Sequence, residues 1–285
     1  IMRYLSKFES DPRDEFDRLD ESLKEGLYKC TSCGKCKAVC PKDINTFGDA
    51  IERLREIACK ESKGPLPEHI AFKENIEKTG RSIKAEGPSF IEQVKNDNGS
   101  KIALFTGCMV DNKLHHIGEA LIDVLEANGI TIDIPEGQVC CGSPLIRTGQ
   151  TDIDKNNEVF KDYDTVLTIC AGCGSTLKND HPKYGSDLNV MDISEFLVDK
   201  LDTDKMNELN TTVTWHDPCH LGRGQGIKGQ PRDILEQIPG VTFKEMKYPC
   251  QCCGAGGGIK AGHPEIAMTL AKEKAKMIED TGAES

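Results

Sequence analysis

The chain has 285 residues, 37% of them apolar and 29% charged, enough for two or three small cores if bound groups help to hold the smaller ones. A net charge of −11 argues against nucleic acid as a partner, because such binding needs a basic face to displace counterions; no apolar run has the length of a bilayer crossing or a signal-peptide core. Fourteen cysteines grouped as CxxC and CCG, without a secretion signal, point to metal or cluster ligation in a reducing compartment, the cytoplasm, instead of a disulfide framework.

Residues 1–62 form the first expected unit. Cys30-Thr31-Ser32-Cys33-Gly34-Lys35-Cys36 and then Cys40-Pro41 reproduce the ferredoxin spacing CxxCxxCxxxCP, in which three thiolates grip one [4Fe-4S] cluster and the fourth ligates its neighbour. A zinc knuckle is the rival reading, and the proline after the fourth cysteine weighs against it. By the ferredoxin rule, the fourth ligand for Cys30, Cys33 and Cys36, and the companions of Cys40, would lie upstream of Ile1. Ile51, Leu54, Ile57 and Ala58 recur at helical spacing, so a short helix is expected to pack this unit, with Cys59 at its end as a buried structural thiol. Asp11-Pro12-Arg13-Asp14, Arg18-Leu19, Cys40-Pro41-Lys42-Asp43-Ile44 and Ala50 to Arg55 resemble the ferredoxin-like half of succinate dehydrogenase and fumarate reductase iron-sulfur subunits. Those subunits commonly lack a cysteine at the place of Cys33 and carry a [3Fe-4S] cluster, so the complete set here implies [4Fe-4S].

Residues 63–99, rich in glycine, proline and charge, read as a connector with one or two short helices and no assigned chemistry. The alternation changes at residue 100, where a unit to 205 begins. Ile102 to Phe105 is an apolar run suited to a buried parallel strand; Leu114, Ile117, Leu121, Val124 and Leu125 mark a helical face ending at Asn128-Gly129. Ile130-Thr131-Ile132 and Val166 to Ile169 look like further strands, with a polar helix between them and another from Ser194 to Leu201. The expected architecture is an α/β sandwich with its cysteines at strand ends. Those cysteines are Cys108, the pair Cys140-Cys141 before Gly142, and Cys170 with Cys173. Two adjacent cysteines serve one tetrahedral zinc poorly, whereas an iron-sulfur cluster offers several irons, and Gly142 would keep the backbone's approach open. His115 and His116 read as neighbours of solvent or core, not as ligands.

Residues 206–285 repeat the arrangement. Cys219 follows a strand-like run from Thr211 to His216, and Cys252-Cys253-Gly254 follow it, so Cys108 and Cys219 are 111 residues apart and Cys141 and Cys253 are 112 apart. Val213-Thr214-Trp215 is the expected strand, and Pro264 opens a helical stripe through Ile266, Leu270 and Met277 that ends at Thr281-Gly282. The glycines from Gly254 to Gly258 lack the strand-to-helix context of a dinucleotide site. Cys250 stands outside the repeat. A strand and a closing CxxC would follow Gly282, so both ends of the chain read as cut.

The doubled motif, with Cys141-Gly142-Ser143-Pro144-Leu145-Ile146-Arg147-Thr148-Gly149 and Cys252-Cys253-Gly254-Ala255-Gly256-Gly257-Gly258, resembles the cysteine-rich CCG domain of heterodisulfide reductases and of related iron-sulfur subunits of thiol:fumarate reductase and glycolate oxidase. The resemblance implies an α+β or α/β chain: a small helical ferredoxin-like [4Fe-4S] domain followed by a duplicated α/β CCG domain. It implies noncubane [4Fe-4S] clusters in the repeats, one on Cys108, Cys140, Cys141, Cys170 and Cys173, the other on Cys219, Cys252, Cys253 and two cysteines beyond Ser285. Some family repeats carry a cubane cluster instead, so the type in each stays open. Together with the succinate-dehydrogenase-like segment it implies oxidation of the coenzyme M and coenzyme B thiols to their heterodisulfide, with electrons passed to a flavoprotein partner that reduces fumarate and carries the flavin. The catalytic subunit of heterodisulfide reductase and glycolate or lactate oxidation subunits are the alternatives, and a zinc-stabilised scaffold is the non-redox one. Arg147, Arg223 and Lys260, each near a cysteine turn in an acidic chain, are the candidates to hold anionic substrate groups.

Overall fold

Three short runs of β-branched and other apolar residues, Ile102–Phe105 (β1), Thr165–Thr168 (β2) and Val190–Asp192 (β3), form a parallel sheet in the order β1-β2-β3 in the computed structural model, which describes residues 26–151 and 156–285. The segment bearing Asp11 to Asp14, Arg18 and Leu19 lies outside the described residues. Register pairs Ala103 with Val166 and Val166 with Val190. Because successive side chains point to opposite faces, Leu104 and Leu167 pack with Leu121, Leu125 and Phe196 on one side, while Ala103, Phe105 and Val166 pack with Phe160 and Leu177 on the other. Cys141 and Cys173 belong to that second cluster, so the sheet's apolar face runs directly into the cysteines.

The helix over His115–Ala127 forms as its periodicity predicts, and Leu121 and Leu125 of the expected face are buried, but the buried stripe is rotated away from Ile117 and Val124. Gly118, Leu121 and Leu125 point inward, whereas Ile117 and Val124 remain 42% and 40% exposed. The reason is Phe90, from the helix Phe90–Val94: a Cβ on Gly118 would lie 2.5 Å from the Phe90 Cζ, so the glycine row, not the aliphatic row, admits the ring. Gly118→Ala is therefore expected to cost about 1–3 kcal/mol through overpacking, read as a lower urea midpoint. An unchanged midpoint would mean that the Phe90 ring does not fill this groove.

The expected strand at Ile130-Thr131-Ile132 is reduced to bridges two residues further on, Ala103 with Asp133 in parallel and Asn96 with Ile134 in antiparallel. Side chains interrupt the ladder there: Asp133 Oδ1 accepts the Asn98 N–H at 2.7 Å, and Asn96 Oδ1 accepts the Ile134 N–H at 2.9 Å. The equivalent segment of the second repeat is a full strand. Thr211–Val213 (β4) pairs in parallel with Val241–Phe243 (β5), and Thr212 opposes Thr242 at the same separation along the chain as Ala103 and Asp133. On the other side of β4 the Glu284 N–H donates to the Thr212 carbonyl at 2.8 Å, and the Thr214 N–H to that of Ser285 at 2.9 Å, as β2 lies beside β1. The last helix, Pro264–Glu279, starts on its proline as expected; the helix foreseen over Ser194 to Leu201 is shorter, Ile193–Leu197, and opens on an Asp192–Glu195 capping box.

In the first unit a π-helical turn, Thr46–Glu52, leads into the helix Arg53–Lys60, and Leu27, Tyr28, Ile51 and Ala58 make a small core with Leu54 and Ile57 against it. Arg55 sits fully buried in this core with its guanidinium spread over five backbone and hydroxyl acceptors: the carbonyls of Leu27, Cys30, Arg147 and Gly257 and the Ser32 hydroxyl. One side chain thus joins the cysteine loop of the first unit to both repeats. No described helix is long and apolar enough to cross a membrane.

Candidate functional site

The cysteines of the first repeat are delivered by backbone that leaves the sheet at its carboxyl edge. Cys108 lies in the first turn of the helix Gly107–Asn112 after β1; Cys170 caps the helix Ala171–Asn179 after β2, and Cys173 lies in its first turn. Cys140 and Cys141 come in on the loop before the helix Ser143–Ile146, turned by Gly142 at φ 81°. What Gly142 supplies is this left-handed turn. Cys108, Cys140, Cys141 and Cys173 are all buried, and the thiols follow one another as neighbours: Cys108 beside Cys140, Cys140 beside Cys141, and Cys173 beside both Cys141 and Cys170.

The main chain around these sulfurs is satisfied elsewhere, which frees the sulfurs for a ligand. The Cys140 N–H donates to the Gly80 carbonyl at 2.7 Å, Asn156 Nδ2 to the carbonyls of Val139 and Cys140 at 3.1 and 3.2 Å, and Asn112 Nδ2 to the Cys108 carbonyl at 3.0 Å. His181 Nε2 lies 2.8 Å from the Cys141 carbonyl. The connector also contributes, through a Ser82 N–H that donates to Cys108 Sγ at 3.4 Å. Hydrogen bonds from Cys140 and then Cys173 hold the Cys141 thiol below its ordinary range, and those from Cys173 bring Cys170 down to about 7. The other three go the opposite way: contact with neighbouring thiols and burial push Cys108 and Cys173 well up and Cys140 up to about 12.

In the second repeat Cys219 opens the helix Cys219–Gly222, and the Gly254 N–H donates to Cys252 Sγ at 3.4 Å. The Cys252 thiol lies beside that of Cys219, and the Cys33 thiol of the first unit beside that of Cys252. The ferredoxin-like loop is therefore seated on the second repeat. Its other side is fixed by Arg223, whose Nε donates to the Cys33 carbonyl and Nη1 to the Cys250 carbonyl, both at 2.6 Å. Glycine is required at this seam: at Gly257, φ is +68° and a Cβ would lie 2.5 Å from the Thr31 carbonyl oxygen. Within the loop the Ser32 N–H donates to Cys30 Sγ at 3.4 Å; Cys36 is exposed and Cys40 half-buried.

Where the first unit meets both repeats there is a cavity of about 560 Å³, lined among others by Cys33, Cys219, His220, Arg147, Arg223 and Lys228. Among the described residues, three nitrogens around it find no hydrogen-bond partner: Arg147 Nε, His220 Nε2 and Arg223 Nη2. Burial lowers the His220 imidazole to about 4, so it is neutral near pH 7. Arg147 and Arg223 thus come together, but Arg147 is committed: its guanidinium pairs with Glu52 and Asp180, each at 2.6 Å, with Arg147 and Asp180 buried and Glu52 partly so. Lys260 stands on the exposed side of the helix Ile259–Gly262, away from this cavity's lining. Glu52, Asp180, His220 and Arg55 carry no spacing signal that would have singled them out. Cys59, half-buried where the sequence predicts a buried thiol, donates to the Thr148 carbonyl at 3.5 Å, and His115 packs on Phe90 with Nε2 3.0 Å from the Asp111 carbonyl.

Among the described residues no three His, Cys, Asp or Glu side chains converge on a single ion. The five thiols of the first repeat instead follow one another as a chain, an arrangement that fits a multi-iron group better than one zinc. Comparison with known proteins agrees. The model of the cysteine-rich domain, CCG, matches residues 102–178 and again 213–285, and that of a 4Fe-4S dicluster domain matches 3–44. The chain is 56% identical, over 98% of its length, to a fumarate reductase (CoM/CoB) subunit of Methanothermobacter marburgensis, and it spans 58% of that relative. It is 37% identical over 93% of its length to a dihydromethanophenazine:CoB--CoM heterodisulfide reductase subunit of Methanosarcina acetivorans, spanning 70% of it, and 29% identical over 65% to lactate utilization protein A of Bacillus subtilis, spanning 84%.

Proposed function

Since the chain belongs to the cysteine-rich CCG family of iron-sulfur oxidoreductase subunits, we propose that it is the iron-sulfur subunit of a cytoplasmic thiol:fumarate reductase, working with a flavoprotein partner. The reaction takes coenzyme M and coenzyme B thiols to their heterodisulfide; the two electrons and two protons released reduce fumarate to succinate on the partner. The observation that carries this reading is the run of five neighbouring thiols at the carboxyl edge of the β1-β2-β3 sheet, with a second thiol set docked on a ferredoxin-type loop.

Cys108, Cys140, Cys141, Cys170 and Cys173 hold one cluster, Cys219, Cys252 and Cys253 contribute to the second, and Cys30, Cys33, Cys36 and Cys40 serve the ferredoxin-type clusters. Bound there, such clusters supply one-electron carriage and, where coordination is open, an iron site for sulfur. The chain's own residues do the rest. Burial of Cys108, Cys140, Cys141 and Cys173 excludes water, the Ser82 and Gly254 N–H groups stabilise thiolate charge, and Arg55 and Arg223 hold the ferredoxin-type loop on the second repeat. The anionic end of a substrate is assigned to Arg223 Nη2, with His220 beside it; Arg147, engaged by two carboxylates, acts as a strut between the first unit and the first repeat.

The complex with its flavoprotein, given both thiols and fumarate without oxygen, is expected to form heterodisulfide and succinate in equal amounts and to stop when either thiol is omitted. Fumarate reduction from a reduced dye but never from the thiols, in protein with full iron, would reject the reading. The 37% identity to a heterodisulfide reductase subunit supports a second one, in which the disulfide is the substrate and is reduced; only that reading predicts consumption of heterodisulfide from a reduced dye with no fumarate reduction. Arg223→Ala is expected to raise the apparent KM for an anionic thiol about tenfold, the loss of one charge-assisted bond, with Lys260→Ala within error of the parent. Steady-state kinetics at equal iron content checks both.

A further inference from the structure

Lysine is seldom buried without a carboxylate, because an ammonium taken out of water needs compensation. Lys274, on the helix Pro264–Glu279, is 4% exposed and has no carboxylate partner among the described residues. Its Nζ donates to the Tyr248 carbonyl at 2.8 Å, the Pro249 carbonyl at 3.2 Å and Met246 Sδ at 3.5 Å. These neutral acceptors are the residues that lead into Cys250-Gln251-Cys252-Cys253. Asp217, the carboxylate whose charge acts on it, is already taken by Arg232 through two bonds of 2.8 and 3.1 Å. Burial lowers the ammonium's pKa, and the groups that act to raise it are Cys253, Cys250, Asp217 and Cys252. The ammonium is thus held against the backbone that leads into the cysteine loop, where thiolates of ligated cysteines would give it a charge partner.

We propose that Lys274 is the counter-charge of the metal-bound thiolates of Cys252 and Cys253, and that it raises the reduction potential of the group they hold. This rests on the assignment of Cys219, Cys252 and Cys253 as ligands. Net charge and hydrogen bonding around the sulfurs are among the factors that set such potentials, and a fixed cation stabilises the reduced, more negative state. Arg223 binds the same loop from its other side, but through the Cys250 carbonyl at the seam with Cys33.

The test uses the full chain with clusters reconstituted, in Lys274→Met, Lys274→Arg and, as a control on the exposed part of the same helix, Lys272→Met forms. In a potentiometric titration followed by EPR, the methionine variant is expected to show an about tenfold lower reduced-to-oxidised ratio at the parent's midpoint, while the arginine and control variants track the parent. If the methionine variant alone fails to load iron, the charge requirement is supported equally. With metal stripped under reducing conditions the ordering should turn: the methionine variant is expected to resist urea at least as well as the parent, since the ammonium then lacks its partner. Full iron with an unchanged midpoint overturns the proposal, and so does a metal-free methionine variant weakened as much as the loaded one, because Lys274 would then be only a clip for two carbonyls. Failure of the underlying ligand assignment looks different: Cys252→Ser would keep full iron and an unaltered spectrum.

Discussion

Cys141→Ser is expected to abolish thiol-dependent activity, by at least about a hundredfold or about 2.7 kcal/mol in barrier, and to remove the iron of the first repeat while leaving the ferredoxin-type signals. The reason is position: Cys141 receives bonds from both Cys140 and Cys173 and is thus the junction of the thiol chain, held in the second core cluster of the sheet with its carbonyl 2.8 Å from His181 Nε2. Serine keeps the volume and the backbone contacts, so the fold should persist. Iron and sulfide analysis, low-temperature EPR and thiol oxidation measured on the same preparation check this. Unchanged iron with unchanged activity would remove Cys141 from the ligand set.

Arg55→Met is expected to be the most destabilising single change outside the ligands, by about 3–5 kcal/mol, because it strips a buried guanidinium from the carbonyls of Leu27, Cys30, Arg147 and Gly257 and from the Ser32 hydroxyl at once. Bonds to a charged donor are the strong class, and the carbonyls left behind have no water to turn to. The thermal midpoint should fall by about 10 °C. Arg55→Lys should rescue little, since an ammonium cannot reach acceptors on three parts of the chain from one plane. The Cys30-to-Cys33 loop would lose its seat against Gly257, so susceptibility of this loop to proteolysis should rise in step. A thermal midpoint within about 2 °C of the parent would show that other contacts hold the three parts together.

The elements legible in the sequence are those whose signal is local. The ferredoxin and CCG spacings, the Ile102-to-Phe105 and Val166-to-Ile169 runs and the proline-opened helix from Pro264 are written within a few residues each, and the structure forms the elements there. The two repeats are legible for the same reason. β3 and β5 leave no such signal because three residues carry no period, and the periodicity of the helix His115–Ala127 finds Leu121 and Leu125 but misplaces the edge of the buried stripe, because the Phe90 ring selects Gly118 in place of Ile117.

The sequence by itself determined which thiols exist and in what local groups, because a metal-ligand spacing is a property of a short peptide. Only the tertiary structure decided how those groups meet. Arg147, near a cysteine turn, looks like a free cation for an anionic substrate until Glu52 and Asp180, from the first unit and from the helix-capping position after Asn179, close on it. Cys33 belongs to a ferredoxin spacing, yet its thiol rests on Cys252, more than two hundred residues away, and Lys274 becomes a buried cation only when its helix covers the Tyr248-to-Cys253 loop. Burial and ion pairing depend on distance in space, and between residues this far apart in the chain no spacing records it.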